Sequence, residues 1–332
     1  MDTINKEKDM KPRIIQRRDI NKQEWDKFVM ESPYGWAFHL YDVIGVDRYK
    51  EDKDISFAIY DEDKGQIALI AMLHIEYKES GNLLHSRYGI VPRSGLAHKE
   101  QKKLCNAYKE YIDSLCVKYN IKRLLAGTVP IAEALQPQKK ELVNPLMEYG
   151  YCPAATTPTY TWVCDINGDE EELIKKCEQT TRQALRKLEQ SNKYEIIEAD
   201  NNPEDYDDYV RLHIETYTRT GLADEILSDE YQRNIFNNMI PQGICRVFFL
   251  KEKEINENIA SVAILVYKNT AYYWWGSSVG EKEVGINKYL LWKSMMIVKD
   301  TYYRNGGMED NFWFETGGAY IYARNGKEKR LK

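Results

Sequence analysis

Residues 55–74, ISFAIYDEDKGQIALIAMLH, and residues 246–267, RVFFLKEKEINENIASVAILVY, decide how the rest of the chain is read. Each runs from an apolar stretch through a polar turn into a second apolar stretch, the pattern of a β-hairpin. The first predicts strands over Ile55–Tyr60 and Gln66–His74 around the turn Asp61–Gly65. The second predicts strands over Arg246–Lys251 and Ile259–Tyr267 around the turn Glu252–Asn258. Outward from each hairpin the order repeats. Asn82–Tyr88 and the aromatic Ala271–Gly276 each read as a third strand. Loops follow at Gly89–Gly95 and Gly276–Gly285, then helices at His98–Tyr119 and Ile286–Tyr303, then strands at Ile121–Ala126 and Asn311–Glu315. The first helix carries Leu104, Tyr108, Tyr111 and Leu115 on one face. Two copies of similar order and span, with Phe57–Leu124 laid over Val247–Trp313, imply an α/β protein with mixed sheets, built as two tandem domains, 1–160 and 161–332.

Composition supports a packed protein. Of 332 residues, 43% are hydrophobic and 12% aromatic, enough apolar surface to offset chain entropy and exclude disorder over most of the length. A formal charge of -5 excludes a polyanion-binding body as a whole, DNA included, so any phosphate site has to be local. The six cysteines show no CxxC spacing, and no metal site or disulfide framework is expected. The first twenty residues hold no signal-type apolar run, and no apolar stretch reaches transmembrane length. A reduced, cytoplasmic protein is expected.

Between the copies, residues 165–190 (DINGDEEELIKKCEQTTRQALRKLEQ) read as one helix with acids at its start. Arg182 and Arg186, four apart, share a face with Lys187 beside them. Two readings stay open: a solvated face in which Glu178 pairs with Arg182, or a guanidinium clamp on an acceptor phosphate at an interdomain cleft.

The order of elements resembles the GNAT superfamily, and the duplication resembles its Fem-type branch, the peptidoglycan bridge-forming aminoacyltransferases and their acyltransferase relatives. Ser32–Gly45 (SPYGWAFHLYDVIG), Thr180–Gln190, Ala271–Asp300 and Phe314–Gly318 (FETGG) carry the resemblance. His39 stands where that family usually has Gln, and Val43 where it has Trp; His39 is the residue of this segment expected beside substrate. The family's long coiled-coil arm is missing, and the chain stops at ARNGKEKRLK where the family generally continues.

The resemblance implies an N-acyltransferase acting on an amine of a nucleotide- or lipid-linked cell-envelope precursor, by direct transfer and without a metal or tightly bound cofactor. Such chemistry needs an uncharged amine, a donor for the developing oxyanion and a proton acceptor. Glu315, at the end of a strand beside Gly317 and Gly318, is the candidate acceptor, with a bond to a nearby backbone amide as the alternative. Tyr273 and Trp275, two apart on a strand, are expected to line a substrate groove from one face. His213 is a further candidate for the cleft. No nucleophilic Ser or Cys stands out.

Neither loop carries the glycine pattern with which acyl-CoA enzymes hold pyrophosphate. Glu281 and Glu283 would oppose that anion in the second loop, whereas the first is basic at Arg87 and Arg93. Charged tRNA is therefore expected as donor ahead of acyl-CoA, helped by the basic residues Arg324, Lys327, Lys329, Arg330 and Lys332. The alternatives are an acyl-CoA-dependent acetyltransferase of an amino sugar, and a non-catalytic binding module of the same fold.

Overall fold

The computed structural model of the chain describes residues 10–44, 52–86, 89–126, 160–280, 283–307, 311–319, 321–324 and 327–330. The chain divides into two units, Met1–Thr157 and Pro158–Lys332.

The first unit begins with β1 (Pro12–Gln16), α1 (Lys22–Glu31) and the single-turn α2 (Tyr41–Ile44). Asn21 starts α1 by accepting the N–H groups of Gln23 and Glu24 on its side chain. Then come β2 (Asp52–Asp54), β3 (Phe57–Asp61), β4 (Gln66–Ala71), β5 (His74–Glu76), β6 (Asn82–Ser86), β7 (Ile90–Pro92), α3 (His98–Lys118) and β8 (Ile121–Ala126). Pairing follows β1-β3-β4-β7 and β2-β5-β6-β8. Because β2 leads into β3, β4 into β5 and β6 into β7, these short strands trace one path of five lanes, the last pair parallel. Phe57, Ile59, Leu69, Ile75 and Leu84 of the strands bury against Leu104, Tyr108, Ile112 and Leu115 of α3.

The second unit holds β9 (Tyr160–Asp165), α4 (Glu170–Lys175), α5 (Gln179–Ser191), β10 (Tyr194–Glu198), α6 (Pro203–Arg219), α7 (Asp229–Asn234), β11 (Cys245–Glu252), β12 (Glu257–Tyr267), β13 (Thr270–Ser278), α8 (Ile286–Arg304) and β14 (Trp313–Ala319). One sheet runs β10-β11-β12-β13-β14-β9, with only β13 and β14 parallel. Helices α5 and α8 close one face over Phe248, Leu250, Val262, Ile264 and Phe314. Helix α6 packs on β12 and β13 from the other, burying Tyr209, Leu212 and His213. A terminal hairpin of β15 (Ile321–Arg324) and β16 (Lys327–Arg330) follows.

The repeat is exact to the residue in the hairpin that announced it. Phe57 sits opposite Ala71 as Phe248 sits opposite Val262, and Asp61 opposite Gln66 as Glu252 opposite Glu257. Both hairpins skip one residue at the same point, Ala68 in the first and Ile259 in the second. Gly65 and Asn256, matching turn residues, both take left-handed backbone. The carbonyls of the two bulge residues accept the N–H groups of Arg93 and Val279, each the residue just after the next strand segment. Over these fifteen positions only Phe57 and Phe248 are identical. Carried across each sheet, the register matches Leu84 with Ala271, His85 with Tyr272, Leu124 with Phe314 and Leu125 with Glu315. The sequence-based alignment of Phe57 with Val247 is thus one residue out.

Two other expectations change. The helix foreseen over 165–190 is broken into α4 and α5, because the carbonyls of Lys175 and Cys177 are taken by the Arg182 guanidinium rather than by a continuing helix. Gly276 belongs to β13, which runs on to Ser278, so the second loop is shorter than Gly276–Gly285. Among the described residues no helix is long and apolar enough to cross a membrane.

Candidate active site

Strands β13 and β14 pair over three positions only: Thr270 with Trp313, Ala271 with Phe314 and Tyr272 with Glu315. Beyond them the two strands run on without pairing, which leaves one edge of β13 open. Glu315 stands at the last paired position and is fully buried. Phe314 belongs to the core under α8, so strand alternation turns Glu315 to the opposite, α6-bearing face.

On its other edge β13 is irregular. Trp275 faces Ala263 and Tyr273 faces Ile264, so Trp274 is an extra residue. Because Ala263 and Ile264 point to opposite faces, so do Trp275 and Tyr273. The expectation that these two share a groove is therefore wrong: a bulge between them inverts the alternation. Tyr273 packs into the α8-side core, and burial pushes its phenol pKa up. The bulge instead stacks Trp274 on Trp275, 3.8 Å between ring centroids, with both rings edge-on to Tyr231. Trp275 and Glu315 share the α6 face.

A cavity of about 370 Å³ lies at this open edge. It is lined by Thr216 and Arg219 of α6, Tyr273 and Gly276–Ser278 of β13, and Asn287 and Lys288 of α8, among others. Lining groups come from both faces of the sheet, which only an unpaired strand edge permits. Among the described residues the lining includes two cations and no carboxylate. The start of α8 brings the positive end of its helix dipole to the same place, with the Ile286 N–H already given to the Glu283 carbonyl at 3.4 Å. Gly285 precedes that helix with φ 92°, and a Cβ there would lie 3.0 Å from Ala184 Cβ, so glycine lets α8 start hard against α5. Thr216 fixes the end of β13: its hydroxyl donates to the Ser278 carbonyl at 2.9 Å and accepts the Ser278 N–H at 2.7 Å. Arg219 Nη2 donates to the same carbonyl at 3.1 Å.

The other expected site residues lie elsewhere. Arg182 holds the end of α4, as described, and does not pair with Glu178 among the contacts seen. Arg186 lines a separate pocket of about 250 Å³ with Glu170, Glu171, Glu189 and Lys293, and Lys293 pairs with Glu170 and Glu189 at 3.1 and 2.9 Å, so three carboxylates stand there against two cations. Lys187 pairs with Glu283 at 2.8 Å. That bond, with one from the Tyr194 hydroxyl, holds the Glu283 carboxyl below its usual range, so this carboxylate is already engaged rather than a bare charge against an incoming anion. His39 is fully buried in the first unit, its carbonyl accepting the Trp25 indole N–H at 2.7 Å. His213 is buried within the second unit. Arg87, Glu281 and Lys332 lie outside the described residues, as do the side chains of Arg324, Lys327, Lys329 and Arg330. Sequence reasoning passed over Thr216, Arg219, Asn287 and Lys288; Lys288, just after the loop glycines, was the legible signal.

Residues 175–300 match the family described as an acetyltransferase (GNAT) domain. The match covers most of the second unit. Every residue named around its cavity falls inside the matched range, and Glu315 lies just beyond it. No curated protein matches the chain in sequence. Among solved structures, FemX is similar over 93% of this chain and 89% of its own, at 15% identity and a TM-score of 0.57. A tandem GNAT protein from the clavulanic acid biosynthesis pathway covers 92% and 90%, at 10% identity and a TM-score of 0.52. L-PGS from Bacillus licheniformis covers 90% and 79%, at 11% identity and a TM-score of 0.50. The chain as a whole therefore has the tandem GNAT fold.

Proposed function

We propose that the second GNAT unit transfers an aminoacyl group from charged tRNA to an amine of a nucleotide- or lipid-linked cell-envelope precursor. The observation that carries this reading is the asymmetry of the repeat. A buried carboxylate, Glu315, ends the paired part of β13 and β14, the later residues of β13 line a cationic cavity, and the position matching Glu315 in the first unit holds Leu125. The second unit then carries the chemistry.

In this reading the carrier's phosphates lie against Lys288, Arg219 and the start of α8, where positive charge and helix dipole act together. The acyl carbonyl enters the open edge of β13, whose backbone N–H groups beyond Tyr272 face no partner strand and polarise it. The acceptor amine attacks in its neutral form. A C–N bond forms, the ester C–O bond to the carrier breaks, and Glu315 takes the ammonium proton and passes it to the leaving hydroxyl. The similarity to FemX and to L-PGS supports an envelope-directed reaction on fold grounds.

A second reading, acyl-CoA as donor, is favoured by the engagement of Glu283, which lifts one objection to pyrophosphate beside α8. Calorimetry with charged tRNA and with acetyl-CoA separates the two. Saturable binding of charged tRNA that weakens at least tenfold in Lys288→Glu supports the first. Micromolar acetyl-CoA binding with the same sensitivity, and none for tRNA, establishes the second.

A further inference from the structure

Helix α1 turns Glu24, Lys27, Phe28 and Glu31 into a cavity of about 260 Å³ against the start of β4. Their spacing of three and four puts them on one helical face, beside the buried Trp25 and Val29 that anchor the helix. Ile67 and Arg93 add an apolar floor and a cationic rim. The cavity lies wholly within the first unit and shares no residue with the candidate active site. The internal repeat shows that this space can be closed. By element order α1 matches α6, and by hairpin register Ile67 matches Asn258. In the second unit α6 bridges to that position: Asp208 accepts from the Asn258 side-chain amide and Arg211 donates to the Asn258 carbonyl, both at 2.8 Å. In the first unit Ile67 has no side-chain bond to offer, Arg93 stands where the second unit has Val279, and the space remains open.

The charges around this space are paired but not hydrogen-bonded. Arg93 Nη2 lies 3.5 Å from Asp61 Oδ2, yet neither Arg93 Nη nor either carboxylate oxygen of the fully buried Asp61 makes a hydrogen bond. Lys27 Nζ and Glu31 Oε1 stand 3.8 Å apart, beyond hydrogen-bond reach. Glu24, by contrast, already takes the Tyr60 hydroxyl. Donors on two cations and acceptors on Glu31 thus border one concave space, with the apolar surface of Phe28 and Ile67 between them. We propose that the first unit binds an α-amino acid with an apolar side chain in this cavity, its carboxylate on Arg93 and Lys27, its ammonium on Glu31 and its side chain on Phe28 and Ile67. A zwitterion supplies both partners that these groups lack, and it does so as charge-assisted bonds, the stronger kind. An ion of one sign would satisfy one side of the cavity and oppose the other. This site stands apart from the acyltransferase reading and does not depend on it.

The test is calorimetry on the full chain with L-alanine, L-valine and L-leucine as probes. At least one should bind saturably with a Kd of about 1 mM or tighter. The methyl ester and the N-acetyl derivative of that amino acid each lack one charge and should bind at least about tenfold more weakly. Amide resonances of Ile67 and Phe28 should shift on titration. The double variant Lys27→Gln/Glu31→Gln changes two exposed side chains, so its melting temperature should hold while the affinity falls at least about tenfold. Arg93→Gln should weaken binding as much; it also leaves Asp61 without its closest cation, and the double variant keeps the test decisive if that protein is unstable. Absence of binding by all three amino acids, equal binding of the ester or the N-acetyl derivative, or an affinity untouched in the double variant overturns the proposal.

Discussion

Burial alone holds the His213 imidazole pKa down at about 4, against 6.5 in the open chain. Between those values the unfolded chain binds a proton that the folded chain refuses, so stability falls as pH drops from 6.5 toward 4 and is insensitive to this group above 6.5. The shift corresponds to roughly 3 kcal/mol. Urea unfolding at pH 7 and pH 4.5 should show a loss of that order in the unaltered protein, and a distinctly smaller one in His213→Gln. An equal loss in both would show that His213 is not the titrating group. At this scale the sequence singled out Glu315, which is the last residue of β14 paired with β13 rather than the end of the strand, which runs on to Ala319. It was misleading where a local irregularity intervenes, because the bulge at Trp274 has no signature in a run of four aromatics. Glu283 shows a second kind of limit: its charge is legible, and its engagement by Lys187 and Tyr194 is not.

The elements owe their ends to single side chains, and two of these can be tested. Arg182 donates to the carbonyls of Lys175 and Cys177 and so closes α4. Arg182→Ala should cost about 1–2 kcal/mol of unfolding free energy, read from the denaturant midpoint, because charge-assisted bonds to helix-end carbonyls are lost. Arg186→Ala, with no such bonds, should cost less than about 0.5 kcal/mol. Equal effects would place Arg182 back on a solvated face. Thr216 serves both backbone groups of Ser278, and Thr216→Val keeps the shape while removing both bonds. We expect faster amide exchange at the end of β13 and weaker donor binding, with α8 unaffected. Unchanged exchange at Ser278 would show that the strand end is held by other means. Hairpins and long helices were legible from periodicity. The break after Lys175 was not, because Arg182 reaches back across the turn and no window of local pattern contains that bond.

Across the whole molecule, the duplication was readable from the order of elements although the two hairpins share a single identical residue. Apolar alternation, turn length and the point of the bulge repeat, and those are what the backbone needs; side-chain identity repeats only at Phe57 and Phe248. In the function proposed above, the units differ at such non-repeating positions, above all Glu315 against Leu125. In the proposed function, acyl transfer occurs in the second unit with Glu315 as proton acceptor. The most direct test is the rate of transfer from charged tRNA to a UDP-linked muropeptide by Glu315→Gln, with donor affinity measured on the same protein. A fall in kcat of about 10²–10⁴-fold at unchanged donor affinity is the expected result. Transfer at the unaltered rate would contradict it.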